Sequence, residues 1–107
     1  MKRLFFIVCS LMSSVAYSLE WTEPHVVERV HITTNGTYYF KVADGWGAES
    51  CKKAAYVFLH KNEAVAADAV LSLVLASQAT GKAIKARGVC QDSGHFRMDY
   101  VIQMEAE

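Results

Sequence analysis

This chain has no excess of basic charge, no long apolar run, one proline and three cysteines. Each shortage narrows what it can be. Beyond Lys2 and Arg3, nine basic residues face eleven acidic ones. Nucleic-acid binders and polybasic membrane binders usually show the opposite balance, so neither class is expected. The longest apolar stretch, Leu4 to Met12, falls short of the roughly 20 residues that a bilayer-spanning helix takes. No glycine-rich loop leads into a helix, because Asp44-Gly45-Trp46-Gly47 does not open one. No pair of histidines has helical ligand spacing. His25 and His31 share one strand face with Arg29 between them, and all four histidines (with His60 and His95) read as solvated. No metal and no cofactor are expected. Ser93-Gly94-His95 places a hydroxyl near an imidazole, but no third partner marks a nucleophile. The expectation is a protein that is not an enzyme.

The N-terminus supplies an address. Lys2-Arg3, the apolar run and Ala16-Tyr17-Ser18 have the layout of a cleavable export signal over residues 1–18. A mature chain of Leu19–Glu107 follows, expected to be secreted or periplasmic in a bacterium. Cys9 falls inside the leader, with Val8 before it where a lipid-anchoring signal wants a small residue. Cys51 and Cys90 are then the only pair in the mature chain, and an oxidising compartment makes them a disulfide. The bridge closes a loop of roughly 40 residues, worth about 4 kcal/mol in the chain-entropy account. That is a large share for a single small domain, which buries only ~60–65% of its unfolded surface.

Along residues 19–107 the period is mostly two. Pro24 has no N–H to give a ladder and marks a strand start. His25–Thr34 alternates Val26, Val30 and Ile32 with Val27, Arg29 and His31, a first strand. Asn35-Gly36 then predicts a tight hairpin turn. Tyr38, Phe40 and Val42 alternate with Thr37, Tyr39 and Lys41, a second strand. Tyr56-Val57-Phe58-Leu59, reaching back toward Lys53, is a short apolar third. Asn62 suits an N-cap and Gly81 a helix stop, and Glu63–Thr80 between them holds neither Gly nor Pro. Lys82–Cys90 is the fourth strand. After the turn Gln91–Gly94, the fifth alternates Phe96, Met98, Tyr100, Ile102 and Met104 with Arg97, Asp99, Val101 and Gln103. Phe96, Met98, Tyr100 and Ile102 are expected to be buried, as are Tyr38, Phe40 and Val42.

The resulting fold class is mostly β with one helix, order β-β-β-α-β-β. That is the element order of a five-stranded OB-like Greek-key barrel with one disulfide. An α+β antiparallel sheet with one covering helix has the same order. Together with the start Glu20-Trp21-Thr22 and the turn Thr80-Gly81-Lys82, the order resembles the OB-fold B subunits of bacterial pentameric toxins, the subtilase-cytotoxin type most of all. The resemblance covers most of the mature chain as a pattern. It implies a small exported, ring-forming, glycan-binding module. The chain lacks the serine-rich loops with which such a subunit meets its glycan, so no sugar-binding residue is carried over.

Candidate binding residues come from the chain itself. Trp46 lies between two glycines in a polar loop, where an exposed indole suits a sugar or a protein; folding inward to plug the barrel end is the other reading. Trp21 is expected to pack over the first strand. Tyr39 and Lys41 face away from the Tyr38/Phe40 side, where an open barrel face binds ligands. The helix has a wide apolar arc, and its edge Val70, Leu73, Ser77 is expected to meet another copy in a homo-oligomer. The partner is a cell-surface glycan or a protein. The alternative function is a periplasmic accessory or inhibitor-type protein that binds another protein.

Overall fold

A computed structural model describes residues 19–105; the expected export signal over residues 1–18, with Cys9, lies outside that range. The elements are β1 (Glu20–Trp21), β2 (Arg29–Ile32), β3 (Thr37–Lys41), β4 (Tyr56–His60), a 3-10 turn (Lys61–Glu63), α1 (Ala67–Thr80), β5 (Ile84–Asp92) and β6 (His95–Gln103). They form one six-stranded mixed sheet, order β1-β5-β6-β4-β3-β2, with β4 and β6 parallel and the other pairs antiparallel. The chain is mostly β with one helix, as expected, but with six strands rather than five.

The extra strand is β1, in the segment before Pro24 and ahead of the expected first strand, of which β2 is the paired part. Glu20 and Trp21 pair with Gly88 and Arg87 of β5. Thr22 takes both backbone groups of Ala86: its N–H donates to the Ala86 carbonyl (2.8 Å), and its hydroxyl accepts the Ala86 N–H (3.0 Å). A side-chain oxygen thus stands where a ladder would use a carbonyl, and the strand peels away. His25 touches β5 once more at Ile84, and by Glu28 the chain is bonded to Lys41 of β3. The carbonyls of Val27 and Glu28, stranded at this crossing, accept from the Gln78 amide of α1 at 3.2 and 3.1 Å. One continuous segment therefore lines both edges of the sheet. Uncovered edges invite association, and here both are occupied by the same dozen or so residues.

Between β2 and β3 the expected two-residue turn is wider. Gly36 N–H donates to the Thr33 carbonyl and Thr33 N–H to the Thr37 carbonyl. This brackets a three-residue loop, Thr34-Asn35-Gly36, with only Gly36 (φ 94°) shown in the left-handed half. The Thr33 hydroxyl, which accepts the Thr37 N–H at 3.0 Å, favours the wider form.

The core gathers Val27, Tyr38, Phe40, Val42, Val57, Leu59, Val74, Ile84, Phe96 and Met98. Tyr38, Phe40 and Val42 are buried as alternation predicts. On β6 the expectation holds only for Phe96 and Met98. Tyr100 is exposed, Ile102 is half-buried, and Val101 packs on the core instead. The cause is a bulge. Gly88 pairs with Met98 but Arg87 pairs with Tyr100, so Asp99 is an extra residue and every side chain beyond it changes face. Gly88 permits it: a Cβ there would lie 1.9 Å from the Arg97 carbonyl oxygen.

The helix begins four residues later than Glu63. The chain leaves β4 through the 3-10 turn, in which Ala64 N–H returns to the Lys61 carbonyl, and the N-cap position is Ala66 with no side-chain cap. The first turn is held another way: the Tyr38 hydroxyl donates to Asp68 Oδ1 at 2.7 Å. That bond raises the Tyr38 ionisation above its usual range. Gly81 ends the helix, as expected. Cys51 and Cys90 are bonded, their Cα atoms 5.9 Å apart.

Candidate functional site

The outward face of β2, β3, β4 and β6 carries a cluster of rings. Alternation aims Val57 and Leu59 inward and leaves Tyr56, Phe58 and His60 on the other side. Likewise Tyr38 and Phe40 point in while Tyr39 and Lys41 point out. Register then aligns the outward set across strands: His31 opposite Tyr39, Tyr39 opposite Phe58, Lys41 opposite Tyr56, and Tyr56 opposite His95.

These neighbours touch in the geometries that aromatic quadrupoles favour. Tyr56 stacks on His95 with centroids 5.5 Å apart and planes 15° from parallel. His31 meets the edge of Tyr56 at 5.6 Å, and Tyr39 does so at 5.8 Å. Phe58 lies beneath, buried by Tyr39, His60 and His95. Lys41 Nζ stands 6.0 Å over Tyr56. Four of the rings, His31, Tyr39, Tyr56 and His95, border a shallow opening of about 260 Å³.

The polar groups of this face are few. Asp92 Oδ1 lies 2.9 Å from His95 Nδ1 and accepts the Gly94 N–H at 2.8 Å. The bond to His95 first, then that from Gly94, holds the Asp92 carboxyl below its usual range. An ionised carboxylate can only accept, so His95 Nδ1 is the donor, and Nε2 is the ring nitrogen left for a ligand. His31 Nε2 is buried without a protein hydrogen-bond partner. His60 Nδ1 is matched to the Thr37 hydroxyl at 2.8 Å. The face thus offers flat apolar surfaces, the free ring nitrogen of His95 and one ammonium. Such a set is able to stack on and hydrogen-bond a small polar ligand. Among the described residues, no three His, Cys, Asp or Glu side chains converge to hold a metal.

The sequence candidates fare unequally. Tyr39 and Lys41 both belong to this face. Trp46 does not: it is fully buried, its indole N–H donating to the Phe40 carbonyl at 3.0 Å, and it presents no surface to a ligand. The loop turns it inward because its backbone N–H is bonded to Ala54 and that of Gly47 to Lys52. His25 and His31 do not act as a pair, since His25 packs against the edge of Trp46 at 5.7 Å. The helix edge also divides. Ser77 is buried, its hydroxyl accepting from the Gln103 amide at 2.7 Å, so it is not available to a partner; Val70, which packs on the core, and Leu73 are half-buried. The outward side of α1 instead shows Ala69, Ser72, Leu75 and Ala76, with Asp68 the helix's one charge. Sequence reading missed His31, Tyr56 and His95. The signal was there as outward-phase rings on four separate strands, but only cross-strand register brings them together.

No protein family, no curated protein and no solved structure matches this chain.

Proposed function

We propose that the chain is an exported, non-catalytic binding module of the toxin B-subunit type, and that the ring face of β2, β3, β4 and β6 is where it takes a glycan. The observation that carries the reading is the convergence of His31, Tyr39, Tyr56 and His95 around one opening. A pyranose has an apolar C–H face for Tyr39 and Tyr56 and hydroxyls for His95 Nε2 and Lys41.

An OB-like barrel is the fold proposed beneath it. Three features support that reading: one parallel pair between β4 and β6, a helix between β4 and β5, and both sheet edges lying in one N-terminal segment. On this view β1 and β2 are the two halves of one bent strand, and six strands count as five. The disulfide supports export to an oxidising compartment. Among the described residues, no helix is long and apolar enough to cross a membrane.

The test is binding of the oxidised protein to an array of immobilised neutral and acidic glycans, with Tyr56→Ala beside it. A glycan retained by the parent and lost by Tyr56→Ala, at equal urea stability, supports the assignment. An array without signal, or one that Tyr56→Ala leaves unchanged, removes the ring face from the account and turns the reading to a protein-binding accessory chain.

A further inference from the structure

A second face, on β1, β5 and β6, is built from side chains that the ring cluster does not use. Trp21 pairs across to Arg87, and Arg87 across to Tyr100, so three residues form a row over three strands. The two aromatics are part of the surface, Trp21 being 40% and Tyr100 48% exposed. Their rings meet edge to face, centroids 5.6 Å apart. Lys85, one pair further along β5, stands with Nζ 4.9 Å from the centre of the Trp21 ring, and the Arg87 guanidinium carbon is 4.8 Å from that of Tyr100.

This face holds two cations to one carboxylate in a chain whose formal net charge is zero. The carboxylate, Asp99, accepts from Arg87 Nε at 3.1 Å and from Nη2 at 3.3 Å. Lys85 enters no ion pair among the described residues. The Asp99 contact shows that a flat carboxylate fits the guanidinium fork at this spot, and the remaining donors of Arg87 are unspent. The row spans two strand spacings, about 10 Å. Four part-exposed side chains cannot supply the ~800 Å² that a stable protein interface takes from each partner. The size suits a few linked rings.

We propose that this face is a binding site for a carboxylated saccharide. Sugar rings lie against Trp21 and Tyr100, and the carboxylate is held by Lys85 and the outer donors of Arg87. The proposal stands on this face alone and does not need the ring cluster.

The chain reports on itself here, because Trp46 is sealed in the core and Trp21 is the tryptophan that a ligand can reach. Trigalacturonate titrated into the oxidised full chain should change tryptophan emission saturably at millimolar concentrations. Maltotriose and polyglutamate should not, since each lacks half of the chemistry. Lys85→Gln should weaken the effect about tenfold, the loss of one charge-assisted bond, at an unchanged urea midpoint, while Tyr56→Ala should leave it as it is. No saturable change overturns the proposal. So does an equal response to polyglutamate, which would mean charge alone. A response to carrageenan oligosaccharides, which carry sulfate and no carboxylate, in the absence of one to trigalacturonate overturns the carboxylate assignment, and unchanged binding by Lys85→Gln removes the cations from the site.

Discussion

At the scale of single residues, the most exposed electrostatic claim is the Asp92–His95 pair. Asp92 ionises below the ordinary carboxylate range because His95, then the Gly94 N–H, favours its charged form. A depressed carboxyl contributes stability that is present above its unfolded value and is lost as pH falls through its folded one. The pair therefore supports the β5–β6 turn at neutral pH and lets go only in acid, below the usual carboxylate range. Carbon-13 NMR of the Asp92 carboxyl should find a midpoint below that of a free aspartate. His95→Ala should bring it back upward, and a midpoint indifferent to His95 would contradict the geometry. Tyr38 works in the opposite direction. Its hydrogen bond to Asp68 needs the protonated phenol, so that support is full below the ordinary value of 10.0 and is lost as pH rises above it.

At the scale of elements, how much was readable depended on whether phase alone decides a position. Tyr38, Phe40 and Val42 were readable because β3 keeps one phase from end to end. The outer half of β6 was not. A run that alternates from Phe96 to Met104 reads as one face, and the extra residue at Asp99 is set by the close approach of Gly88 to Arg97 on the neighbouring strand. Gly88→Ala tests this directly. Its methyl cannot coexist with the Arg97 carbonyl, so the bulge must open, at a cost of about 1–3 kcal/mol. Urea denaturation should show that loss, and a variant as stable as its parent would mean that the bulge does not depend on glycine. β1, ahead of the expected first strand, escaped the pattern for a related reason. Thr22 and Gln78 end and redirect it through side-chain bonds to partners 64 and 51 positions away, and local pattern holds no trace of them. Trp46 was undecided in the sequence because a Gly-Trp-Gly loop folds in or out equally well; the bonds that Trp46 and Gly47 donate to the Ala54 and Lys52 carbonyls make the choice. The ring face was half legible, through Tyr39 and Lys41, since their neighbours arrive only by strand register.

For the molecule as a whole, α1 is the element left incomplete. Its inner side is closed by Ala67, Val74 and Ser77, while Leu75 is 44% exposed in a row otherwise of small residues. A helix with one charge and an apolar outer side is usually covered. The expected cover is a second copy, so light scattering at tens of micromolar should give a multiple of the chain mass. Leu73→Lys should reduce it to one chain without loss of the disulfide. A single-chain mass for the parent would leave the helix uncovered and exclude a ring. The placement of β1 has a consequence in time rather than space. Glu20 and Trp21 leave the ribosome before any other strand, yet their partners Gly88 and Arg87 follow only 68 and 66 residues later. Cys51 waits 39 residues for Cys90. A growing chain can close the β2–β3 hairpin early, but neither the β1 edge of the sheet nor the covalent bond exists until β5 has been made. Until then the chain stays open and threadable, which is what passage through the channel of the proposed export route would require.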